Sequence, residues 1–226
     1  AGVALILAVA LGGLDHLLAA GGIALGAWLL FGSLAVLVRR WWAGRAYLVR
    51  SILTTPRAVV GLVIAHAGLG MLVIGVTGTT AWDSEKVLNM RPGQTIEFAG
   101  RSLTMIALET VRGPNYEARQ ARFSVEDRFG PYRFRSERRF YPSAQSQTTE
   151  AAIRVGFTGN FYVSIGEESP GGIVVRMWSH PLIVWIWIGG FAMSIGGLVS
   201  LSDRRLRVGA AVRAPLPAAP QPLPAE

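Results

Sequence analysis

Arg57-Ala-Val-Val-Gly-Leu-Val-Ile-Ala-His66-Ala-Gly-Leu-Gly70-Met-Leu-Val-Ile-Gly75-Val-Thr77 is the stretch whose reading decides the architecture. After Arg57 it carries no charged side chain except a titratable histidine, and its length matches the roughly 20 apolar residues a helix needs to cross a bilayer. Thr54, Thr55 and Pro56 precede it as a helix start, because proline in the first turn lacks only an N–H that would be unpaired there anyway. Two other blocks, 17–38 and 181–201, are equally long and apolar. A fourth, 1–11, is broken by Gly12, Gly13 and Asp15, with no basic residue ahead of it as a signal peptide would have. It is read as the exit half of a helix, and the sequence as part of a longer polytopic protein.

The apolar blocks explain a composition with 51% hydrophobic and only 16% charged residues among 226, and a mean hydropathy of +0.38. Soluble domains carry about 25% charged residues. The formal charge of +8 is concentrated beside the membrane. Arg39, Arg40, Arg45, Arg50 and Arg57 lie between two blocks, and Arg204, Arg205, Arg207 and Arg213 follow the last. Basic residues in short loops at helix ends mark the cytoplasmic side, so the charge is a topology signal and not a nucleic-acid footprint. With no cysteine, the chain has neither disulfides nor thiolate ligands of its own.

Residues 80–178 read as a soluble β-rich domain on the opposite side, periplasmic in a bacterial inner membrane. Gln94-Thr-Ile-Glu-Phe98 and Ser102-Leu-Thr-Met-Ile-Ala-Leu108 flank the hairpin turn Ala99-Gly100-Arg101. Runs at 121–126 and 132–135 flank Arg128-Phe-Gly-Pro131, and 153–155, 161–165 and 173–177 add three more. Gly113-Pro114-Asn115 and Ser169-Pro-Gly-Gly172 are turns by composition. The fold expected is therefore a polytopic α-helical membrane protein with an inserted all-β domain of about seven strands, either a small sandwich or a partly open barrel. Its divisions are helices with a cytoplasmic basic loop (39–57) within 1–79, the β-domain at 80–178, a last spanning helix at 179–203, and a disordered Pro/Ala-rich cytoplasmic tail at 204–226.

His66 lies near mid-membrane, and ionisable groups there are functional candidates by default. Two readings stand open: axial ligation of haem iron, or an interhelical hydrogen bond to Ser or Thr. Gly61, Ala65, Gly68 and Gly75 allow close approach of a helix or of a flat cofactor. His16, beside Asp15, reads as a solvated loop residue, and His180 as an interfacial structural residue or part of an outer-face site. The three histidines lack metal-site spacing. Trp82, Trp178, Trp185 and Trp187 read as interface anchors that could also hold a ring ligand. Arg133-Phe-Arg-Ser-Glu-Arg-Arg139 reads as a solvated sheet face or a contact for an anionic partner or haem propionate.

His66-Ala-Gly-Leu-Gly70, Val73-Ile-Gly-Val76, Arg112-Gly-Pro-Asn-Tyr-Glu117 with Tyr141, Thr149-Glu-Ala-Ala-Ile153 and Trp185-Ile-Trp-Ile-Gly-Gly190 together resemble the C-terminal part of the CcmF/CycK/NrfE-like family, over 13–205. The resemblance implies a haem lyase of bacterial cytochrome c maturation. It would receive haem, the transferred substrate, from a holo haem chaperone (CcmE-like) and join it by thioethers to the CxxCH motif of apocytochrome c. Thiol-handling subunits (CcmH/CcmI-like) would present the apocytochrome. The resemblance also implies a membrane-embedded haem b, with His66 matching the more C-terminal of two axial ligands and the other lying outside this sequence. The family's tryptophan-rich segment with its flanking histidines is not in this sequence, so no catalytic residue is assigned. In that family His180 need not be histidine. Asn115, Tyr116 and Glu150 are candidates for structure or contact. The alternative is a non-catalytic membrane scaffold or docking subunit of the same complex.

Overall fold

The computed structural model describes residues 17–203; the readings of 1–11, His16 and the 204–226 tail lie outside them. Among the described residues three helices are long and apolar enough to cross a membrane: α1 (Leu17–Ala43), α3 (Arg57–Ala81) and α4 (Ile183–Leu201). A tight turn at Arg45–Tyr47 and the short α2 (Leu48–Leu53) join α1 to α3.

α3 is the central helix. Gly61, Gly68 and Gly75 recur every seven residues, so they form one stripe along it, and α4 answers with Gly189 and Gly196. A methyl group on Gly68 would lie 2.7 Å from the Gly189 carbonyl oxygen, and one on Gly196 would lie 2.5 Å from the Ala65 nitrogen. The two backbones therefore touch. Lipid tails are as apolar as leucine, so membrane helices associate through close packing more than through burial from water, and small residues permit it. The stripe serves a helix, not a flat cofactor. α1 packs on another side of α3, where Gly26 meets Gly70.

The start of α3 differs from the reading of Thr54, Thr55 and Pro56. The Thr54 and Thr55 hydroxyls donate to the Arg50 and Ser51 carbonyls at 2.7 and 2.8 Å, closing α2. Pro56, with ψ of 138°, precedes the helix instead of occupying its first turn. An acceptor for α3 comes from beyond the far end of α4: the buried Asp203 takes a 2.9 Å hydrogen bond from the Ala58 N–H. A carboxylate there satisfies a donor without an intrahelical partner and meets the positive end of the helix dipole.

Between α3 and α4 lie nine strands in two antiparallel sheets, which makes a sandwich and not a barrel. One sheet is ordered β1-β9-β8-β7: Ser84–Met90, Gly172–Pro181, Gly159–Ser169, Ala152–Arg154. The other is ordered β2-β3-β4-β5-β6: Thr95–Phe98, Arg101–Arg112, Glu117–Asp127, Gly130–Tyr141, Ser146–Glu150. Met90, Leu103, Met105, Phe123, Phe161 and Met177 are among the fully buried side chains between them. Ala99 and Gly100, at φ of 49° and 69°, make the tight β2–β3 hairpin. β1 and β6 are additions to the strands read from sequence, and Glu150 ends β6.

Candidate functional site

Helical periodicity divides α3 into three sides. α4 takes the side of Gly61, Gly68 and Gly75, α1 takes that of Gly70, and the third is exposed. His66 stands on that exposed side with Leu62 and Val76, about 14 Å along the axis from Arg57 at 1.5 Å per residue. The nearest ring nitrogen, Nδ1, is 2.9 Å from the Leu62 carbonyl oxygen one turn back. A carbonyl only accepts, so Nδ1 carries a proton and donates it. Nε2 offers a lone pair in the tautomer whose single proton is on Nδ1. A backbone carbonyl that fixes one ring nitrogen leaves the other basic and oriented, the arrangement that ligating histidines use. The partner is thus within its own helix and not a Ser or Thr of a neighbour.

The other sequence candidates lie elsewhere. His180 is on β9 at the sandwich–membrane junction, with Nδ1 2.6 Å from Asp83 Oδ1 and its ring 5.2 Å from Tyr162. It joins the strand entering α4 to the residue before β1. Trp185 donates its indole N–H to the Phe157 carbonyl at 3.0 Å and packs on the Phe157 ring at 5.0 Å. Trp187 is exposed on α4, Trp82 closes α3, and Trp178 lies under the Arg176 guanidinium at 4.8 Å. His66 and these residues do not converge on one site. Among the described residues no group of three or more His, Cys, Asp or Glu side chains could hold a metal ion.

The arginines of β5 are largely paired. Arg139 binds the buried Glu137 at 2.9 Å and Glu150 at 3.4 Å, and Arg138 reaches Glu167 at 3.0 Å. Burial pushes the Glu137 carboxyl up, but hydrogen bonds from Arg139 and Gln120 and the charges of Arg139 and Arg135 outweigh it and hold the group below its ordinary range. Arg133 and Arg135 face solvent. Asn115 is exposed in the β3–β4 turn, while Tyr116 packs on Tyr141 at 5.6 Å beneath Arg139. The sequence pointed to His66 because an ionisable group interrupts an apolar helix. It could not show which side of α3 is left bare, since that depends on where α1 and α4 pack.

The fold and site define a class first: a multi-span membrane protein that carries a β-sandwich between two adjacent spanning helices, with one histidine on the exposed side of a spanning helix. Residues 81–181 match the family described as the CcmF C-terminal beta-sandwich. The chain is 41% identical over 203 residues to the cytochrome c-type biogenesis protein CycK of Rhizobium meliloti, covering 87% of this chain and 30% of that relative. It is 34% identical over 149 residues to the cytochrome c-type biogenesis protein CcmF of Escherichia coli, covering 65% of this chain and 23% of that relative. Its fold is similar to a solved Cytochrome c Heme Lyase CcmF, with a TM-score of 0.66 at 20% identity, covering 88% of this chain and 34% of that one. The chain belongs to the CcmF family and corresponds to its C-terminal portion. It spans under a third of the length of these curated relatives.

Proposed function

We propose that this chain is the C-terminal part of a cytochrome c haem lyase of the bacterial inner membrane, with the sandwich in the periplasm. The observation that carries the reading is His66: an imidazole deep in an apolar span, held at Nδ1 by the Leu62 carbonyl, on the side of α3 that α1 and α4 leave uncovered. In this reading His66 would ligate the iron of a haem b, with the second ligand outside this chain. When bound, such a haem supplies one-electron chemistry at a potential set by its ligands and surroundings. The Leu62 carbonyl keeps the proton on Nδ1, and the apolar face around His66 keeps water from Nε2.

The sandwich supports the larger assembly. The intact protein would take haem from a CcmE-like chaperone and join it by thioethers to the CxxCH motif of apocytochrome c presented by CcmH/CcmI-like subunits. The basic residues of the α1–α3 connection keep that segment cytoplasmic.

His66→Ala in the full-length protein tests the reading. The expected result is loss of bound haem b and of its low-spin reduced-minus-oxidised signal, with membrane insertion and the sandwich retained. An unchanged haem content would remove His66 as a ligand and favour the scaffold or docking alternative.

A further inference from the structure

The strand ends nearest the membrane carry a set of side chains that the proposed function does not use. α3 passes into β1 through Trp82 and Asp83 alone, and β9 into α4 through Leu182 alone. Ser84 and Pro181 therefore mark the membrane end of the sandwich, and the pairing of Gly159 with Pro181 puts the β7–β8 loop at that end. Arg154, at the end of β7, reaches Asp127 at 3.9 Å and covers the Tyr132 ring at 3.9 Å, which brings the β4–β5 turn beside it. Arg101 lies over Phe161 at 4.9 Å, which brings the β2–β3 turn to the same end. The opposite hairpins, β3–β4, β5–β6 and β8–β9, are at the far end.

Large apolar side chains project from two of these near loops. Phe129, at the tip of the β4–β5 turn, is 68% exposed, and Val155 and Phe157 in the β7–β8 loop are 65% and 66% exposed. The Phe129 N–H donates to Asp127 Oδ1 at 2.7 Å, which fixes the turn that holds the ring out, and the Arg128 guanidinium lies 4.7 Å from that ring. Phe157 packs on Trp185, the third residue of the spanning helix α4, so it sits at the depth of that helix's first turn. The Leu182 N–H donates to the Thr158 carbonyl at 3.1 Å and locks the loop against the helix start.

We infer that this rim is a lipid-contacting surface: Phe129, Val155 and Phe157 enter the headgroup–acyl boundary of the leaflet facing the sandwich, and Arg128 stays at phosphate depth. Aromatic rings with basic neighbours are suited to that layer. The side chains are spread over two separate loops, which suits a fluid bilayer better than a shaped protein groove. Asp83, Glu126 and Asp127 share this end with Arg101, Arg128 and Arg154, so net charge is not the attraction and the apolar tips are. The surface is continuous with the Trp185 belt and seats the sandwich at a fixed tilt on the membrane. It does not depend on the role of His66.

Spin labels on single introduced cysteines in the full-length protein, reconstituted in lipid nanodiscs, test it by collision with oxygen and with a water-soluble nickel chelate. Phe129→Cys and Phe157→Cys sample the tips, Arg128→Cys and Thr158→Cys sample the same loops with the rings kept, and Ser143→Cys in the far β5–β6 hairpin is the aqueous control. Oxygen collisions should exceed nickel collisions at both tips and reverse at 143. Nickel-dominated collision at either tip overturns the proposal in favour of water. Low collision with both reagents overturns it in favour of cover by another part of the protein.

Discussion

The α3–α4 seam and the sandwich core are packed by opposite means. In the seam, glycines let the two backbones touch, and a methyl group added at Gly61, Gly68, Gly189 or Gly196 would overlap main-chain atoms. In the core, Phe123, Phe161 and three fully buried methionines fill the space between sheets that never approach so closely. The solvent explains the difference. A domain in water gains most from removing large apolar side chains from it, while a helix already in lipid gains little by that route and relies on close contact. Stability in one region should fail when volume is removed, and in the other when it is added.

The largest expected effect is in the core: Phe123→Ala should cost about 3–5 kcal/mol, read as a fall in the unfolding midpoint of the sandwich in the purified chain. Gly68→Val should cost about 1–3 kcal/mol from overpacking, seen as a lower thermal midpoint of the helical part. Gly190 lies on the same seam-forming helix α4 with nothing near its would-be methyl group, so Gly190→Ala should be neutral or stabilise by up to about 1 kcal/mol. Equal damage from Gly68→Val and Gly190→Ala would break the comparison. Glu137→Gln should cost about 1.5 kcal/mol near neutral pH, in the range for hydrogen bonds to charged groups. Because the folded carboxyl is held below its ordinary value near 4.5, its contribution is complete above that value and is lost as pH falls through the lower folded one. The wild type should therefore lose more stability between pH 6 and 3 than the variant does, as followed by thermal unfolding. Asp203→Ala should cost about 1 kcal/mol by removing the remote cap of α3, and added salt should leave that loss largely intact, since Asp203 is buried.

The spanning helices were legible because an apolar run of about 20 residues matches the thickness of a bilayer and exceeds what a strand or a short core helix needs. The hairpin turns at Ala99-Gly100 and Ser169-Pro-Gly-Gly172 were legible because glycine marks positive φ. β1 and β6 were not. Ser-Glu-Lys-Val-Leu-Asn-Met has few β-branched residues, and Ser-Gln-Thr-Thr-Glu on β6 is an edge strand exposed at every position. Such a strand is defined by its partner and not by its own pattern. The polar half of β4 was hidden for a related reason: Arg119 turns toward Glu168 on the other sheet and pairs with it there. His66 was visible as an ionisable residue in an apolar run. The Leu62 carbonyl, the bare side of α3 and the cap from Asp203 are tertiary facts, the last joining residues 145 positions apart.

The most direct test of the account is chemical rescue at His66. In the full-length protein, His66→Gly should lose the low-spin haem b spectrum, and exogenous imidazole, supplying the missing Nε2 donor, should restore it. A His66→Gly protein that keeps the spectrum without imidazole would contradict ligation by this residue.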